Sequence, residues 1–63
     1  MEIAHSAQAK RFRVQAKTRL YDRGESVAGL ARKLGRARNT VSIAINRYRF
    51  RKVIAEIKAA LDL

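Results

Sequence analysis

The chain has no cysteine, no proline and no tryptophan, only three glycines and only five acidic residues among its 63. Without cysteine there is no disulfide framework, no thiolate nucleophile and no sulfur-ligated metal, and a reducing cytoplasm suits the chain. The scarcity of proline and glycine removes the usual interruptions of helix, so helical segments joined by short connections are expected. No apolar run approaches the length of a membrane span, and Met1 to Ser6 lacks the basic-then-apolar layout of a secretory signal. Paired carboxylates for acid-base chemistry are also missing: Asp22, Glu25, Glu56 and Asp62 are scattered among cations. His5, the single histidine, has no companion for metal binding or catalysis. No glycine-rich phosphate loop occurs. These absences predict a protein with no enzymatic activity, no metal, no cofactor, no small-molecule ligand and no membrane partner.

What is present is positive charge and apolar periodicity. Fifteen Lys and Arg give a net charge of +10 and a pI near 11.5. Fourteen of these cations lie between Lys10 and Lys52, a stretch with only two acidic residues, Asp22 and Glu25. A surface of this kind attracts polyanions before any specific contact forms, and nucleic acid is the default partner. A chain of 63 residues forms one domain with a small core.

Gly24, Gly35 and the aromatic-basic stretch Tyr48 to Arg51 divide the chain into four helical segments, an all-α arrangement. The first is expected over residues 7–23, with Ala9, Phe12, Ala16 and Leu20 on the core side and residues 1–6 frayed. Gly24 closes it and Ser26 caps a second helix over 27–34, in which Val27, Leu30, Ala31 and Leu34 recur at helical spacing. The third, over 38–47, buries Val41, Ala44 and Ile45 and turns Arg38, Asn39, Ser42, Ile43, Asn46 and Arg47 outward. The fourth, over 52–61, carries Val53, Ile54, Ile57 and Leu61. Tyr48 and Phe50 are expected to pack at the corner before it rather than stack on bases. A second stripe on the first helix, Ile3, Val14 and Tyr21, marks either a dimer contact or cover for the last helix, the intramolecular reading being favoured.

The spacing Leu30-Ala31-x-x-Leu34-Gly35, followed by Val41 and then Ala44-Ile45, resembles the phage Cro/repressor class of helix-turn-helix regulators. The resemblance covers Val27 to Asn46 closely and implies a lambda-repressor/Cro-like four-helix fold. It places Ala31 at the close contact of the two motif helices, Gly35 in the turn, and Val41 and Ile45 as anchors of the recognition helix. It puts Arg38, Asn39, Ser42 and Ile43 at base-contacting positions in the major groove, and Asn46 at a phosphate. The chemistry suits these roles: Arg pairs bidentately with guanine, Asn with adenine, and Ile packs on a thymine methyl. Lys33, Arg36, Arg47, Arg49 and Arg51 complete the phosphate set, fixing register and supplying salt-dependent affinity. Two positions depart from the family pattern: Arg36 stands where an aliphatic residue is common, and Ala37 where a capping serine often begins the recognition helix.

The expectation is therefore a sequence-specific double-stranded DNA-binding regulator, a phage or prophage repressor acting in the cytoplasm at the nucleoid. Reading few base pairs alone, it would bind as a homodimer formed before or upon DNA binding. An excisionase or DNA-bending architectural protein has the same features, and a basic module that inhibits a host protein is a rival of another class.

Overall fold

The computed structural model describes the backbone of residues 3–63 and the side chains from Ala7 onward. Four helices follow one another: α1 (Ile3–Arg23), α2 (Val27–Leu34), α3 (Arg38–Arg47) and α4 (Arg51–Leu61), with no strand among the described residues. The 21 residues of α1 account for the long dimension of 34 Å, since a helix rises about 1.5 Å per residue. α3 and α4 pack along it, and α2 is held chiefly against α3, with further contact to α4.

The termini of these helices are written locally. Ser26 is extended (φ −115, ψ 165) and its Oγ accepts the Gly29 N–H at 3.1 Å, which satisfies one of the free donors at the start of α2. Gly35 ends α2 in the left-handed region (φ 67). The Arg36 N–H then donates to the Ala31 carbonyl at 2.9 Å and the Gly35 N–H to that of Arg32 at 3.2 Å, a Schellman closure. A β-carbon at Gly35 would meet nothing within 4 Å, so glycine is required there by the dihedral alone.

The core is one cluster: Phe12, Ala16 and Leu20 from α1, Leu30 and Ala31 from α2, Val41, Ala44 and Ile45 from α3, and Val53, Ile54, Ile57 and Leu61 from α4. These residues lie at helical spacing on the inward face of each element, and Val27, Leu34, Tyr48 and Ala60 pack around them half-buried. The edge of the Phe12 ring meets Tyr48 at a centroid distance of 5.7 Å and an interplanar angle of 63°. Arg19 and Arg23 tie α1 to the end of α4. The Arg19 Nη1 donates to the carbonyls of Leu61 (3.0 Å) and Asp62 (3.2 Å), and the Arg23 Nη1 to that of Ala60 (3.0 Å).

Several expectations need correction. α1 begins at Ile3 rather than about Ala7, because Ile3 to Ser6 contains no residue that stops a helix; the expected fraying of residues 1 and 2 lies outside the described residues. α4 begins at Arg51, one residue early. Phe50 does not plug the corner: it takes a left-handed conformation (φ 64, ψ 76) at the entry to α4 and stays 48% exposed. Val14 (52% exposed) and Tyr21 (85% exposed) do not cover the last helix, because α4 packs on the Phe12 side of α1. The side chains of Ile3 and His5 lie outside the described residues.

Candidate nucleic-acid interface

The candidate surface is the outward face of α3 with the basic residues on either side of it. Val41, Ala44 and Ile45 are fully buried and hold the helix against the other three. With one stripe fixed, the opposite one must face out. Arg38, Asn39, Asn46 and Arg47 are exposed, and Ser42 and Ile43 are half-buried at its edge. Asn46 Nδ2 donates to Ser42 Oγ at 3.2 Å, one turn apart, so these two polar side chains are already oriented with respect to each other.

The start of α3 is bare. Ala37 is extended (φ −66, ψ 141) and no side chain caps the helix, Asn39 included. The first N–H groups of α3 therefore lie open beside the exposed Arg38 and Asn39, with the positive end of the helix dipole behind them. An anion such as a phosphate suits this position. At the other end, Arg47, Arg49 and Arg51 are all exposed along the connection to α4.

Two of the cations expected at phosphates have partners within the chain. Lys33 Nζ is paired with Glu25 Oε2 on the exposed side of α2. Arg36 is held more firmly: its Nε donates to Glu56 Oε1 at 2.7 Å and its Nη2 to Glu56 Oε2 at 2.8 Å, a bidentate pair between the motif's turn and α4. The hydrogen bonds from Arg36, then its charge, hold the Glu56 carboxyl below the usual range, and Glu56 in turn raises the guanidinium. This contact explains the departure noted at position 36. The side chain lies over the α2–α3 turn and joins it to α4, where an aliphatic residue would do so by packing. Nothing local announces the pair, because its members are 20 residues apart.

The sequence pattern of the homeodomain-like domain matches residues 10–55, most of the chain. The chain belongs to the homeodomain-like family. No curated protein and no solved structure matches it. The match begins within α1 and runs through α2 and α3 into the first turns of α4, so the homeodomain-like unit includes the helix-turn-helix and both elements that brace it. The protein is accordingly an all-α, helix-turn-helix DNA-binding protein. No helix among the described residues is long and apolar enough to cross a membrane.

Proposed function

We propose that this homeodomain-like protein is a transcription regulator that reads a specific double-stranded DNA sequence with α3 in the major groove. The observation that carries the reading is the division of α3 into a buried stripe (Val41, Ala44, Ile45) and an outward one that begins with the exposed Arg38 and Asn39. Arg38, Asn39, Ser42 and Ile43 contact base edges: a guanidinium for guanine, a carboxamide for adenine, and an aliphatic edge for a thymine methyl. Asn46, Arg47, Arg49 and Arg51 take phosphates, as do the open N–H groups of α3, and Lys33 reaches a phosphate by leaving its exposed pair with Glu25. Arg36 contributes chiefly by holding the turn through Glu56, and its third nitrogen, Nη1, is left to donate to a phosphate.

Occlusion of a promoter is the simplest mode of action, which makes the protein a repressor of Cro-like character in a phage or prophage, working at the nucleoid. Two copies occupy half-sites about one helical turn apart. The exposed Val14 and Tyr21 on α1 support a second copy at that face. Lys10 and Lys17, also exposed on α1, oppose such pairing until phosphates neutralise them, so the dimer forms on DNA.

Selection of bound duplexes from a randomised pool, followed by a salt titration of the winner and a scrambled control, tests the reading. A discrete enriched motif with inverted symmetry, preferred at every salt concentration, supports a sequence-reading repressor. Directly repeated sites with DNA bending would instead indicate an architectural role. Equal binding of both duplexes, falling steeply with salt, would overturn sequence-specific regulation.

A further inference from the structure

A groove runs between the N-terminal half of α1 and the start of α4, beside the surface proposed to read duplex DNA and sharing only Arg51 with it. Its larger part has a volume of about 580 Å³ and is lined by Gln8, Phe50, Arg51 and Lys58 above an apolar floor of Ile54 and Ala55. A smaller part continues along α1 past Arg11 and Gln15, sharing Gln8, Tyr48 and Lys58 with the first. Among the described residues, three cations line the two parts together and no acidic residue does.

The aromatic residue at the rim is placed there at a cost. Phe50 is a non-glycine residue at φ 64, a conformation that crowds an L side chain, and Tyr48 two residues earlier sits at φ 55. Such backbone outliers cluster where a surface is shaped for function. Here the result is a phenylalanine 48% exposed at the mouth of a groove carrying Arg51 and Lys58. It provides no core packing that would explain an exposed aromatic in so basic a neighbourhood.

We propose that this groove binds single-stranded nucleic acid, with a base stacked on Phe50 and the adjoining phosphates on Arg51, Lys58 and Arg11. Each component has a matching task. An exposed aromatic face stacks on any base, the cations follow a phosphate backbone, and the carboxamides of Gln8 and Gln15 offer both donors and acceptors to a base edge. An acidic peptide would use the cations and leave the ring without a partner, which favours the polynucleotide. The groove lies next to α3, since Tyr48 and Phe50 follow it directly, so a strand opened beside a bound duplex is within reach. The inference does not rest on sequence reading by α3.

The chain contains no tryptophan, so Phe50→Trp introduces a single reporter at the stacking position. Titration of this variant with a 12-nucleotide oligothymidylate is expected to quench its emission, whereas heparin, a polyanion without bases, binds and leaves the emission unquenched. In the otherwise unaltered chain, Phe50→Gly suits the positive φ and removes the ring. It is expected to lower single-strand affinity roughly tenfold, about one stacked base, while duplex affinity stays within twofold. Phe50→Leu, which keeps the apolar bulk without the flat face, repeats the measurement should the glycine variant lose helicity by circular dichroism. Equal quenching by heparin, or single-strand affinity unchanged in these variants, overturns the proposal. An emission change with oligoglutamate and none with the oligonucleotide overturns it in favour of an acidic protein partner.

Discussion

The two helices of the motif begin in different ways. α2 opens on Ser26, whose hydroxyl accepts the Gly29 N–H at 3.1 Å, and closes on Gly35 with two backbone hydrogen bonds. α3 opens on Ala37, which offers no side-chain cap, and closes on Tyr48 in a left-handed conformation that glycine would adopt more easily. The bracing helix is thus completed by its own sequence. The helix proposed to read DNA is held by its buried face and left open at the end where Arg38 and Asn39 stand, as expected of an element whose missing partner is a phosphate outside the chain.

The largest test of this contrast removes the buried anchor of α3. Val41→Asp puts an unpaired charge at a fully buried position, at a cost of several kcal/mol against a total stability on the order of 3–9 kcal/mol for this length. Helical circular dichroism should be lost at 25 °C. Next in size is the outward stripe: Arg38→Ala should leave the thermal transition in place and weaken binding of the selected duplex by about 1–3 kcal/mol, with relaxed preference at one base pair. Competition assays against single-base variants of the site would detect this, and unchanged preference would remove Arg38 from the base-contacting set.

A smaller effect exchanges the two helix starts. Ser26→Ala should destabilise the fold by about 1 kcal/mol, and Ala37→Ser should stabilise the free protein by a similar amount. If a phosphate occupies the start of α3, the new serine competes with it, so Ala37→Ser should melt higher yet bind DNA no tighter. Tighter binding by this variant would argue against a phosphate at that end.

The smallest effect concerns the pair that joins the turn to α4. Glu56 has a lowered folded-state pKa, so its stabilisation is present above the unfolded value and disappears as pH falls through the folded one. Arg36, with a raised value, stays charged throughout and adds no slope in that window. Melting temperature should fall on acidification below the ordinary glutamate range, and Glu56→Gln should melt lower at neutral pH with a flatter acid dependence. Parallel curves for the two proteins would exclude a contribution from the pair.

The motif itself was legible because its signals are local. Ser26 and Gly35 lie at the boundaries they create, and the inward stripes of α2, α3 and α4 recur at 3.6-residue spacing. Arg38 and Asn39 are exposed as expected for the same reason. What the sequence hid is either distant or conformational. Arg36 looked like a free phosphate ligand because its partner Glu56 is 20 residues away. The hold of Arg19 and Arg23 on the last carbonyls of α4 follows no periodicity either. Phe50 departs from its apolar character, which suggests burial, because a left-handed backbone at that residue leaves it half-exposed.

That hold on α4 also bears on how the domain forms. Arg19 meets the carbonyl of Leu61 across 42 residues, a loop that includes α2, α3 and most of α4. Closing so long a loop costs entropy that winding a single helix does not, so this contact forms only once the chain through Leu61 is in place. On the ribosome, where the chain emerges from its N-terminus, the helix-turn-helix must wait beside an unfinished neighbour until α4 has left the exit tunnel. A nascent chain stopped before Leu61 would carry all of α3 without the bracket that ties α1 to the end of α4, which separates making that helix from completing the frame around it.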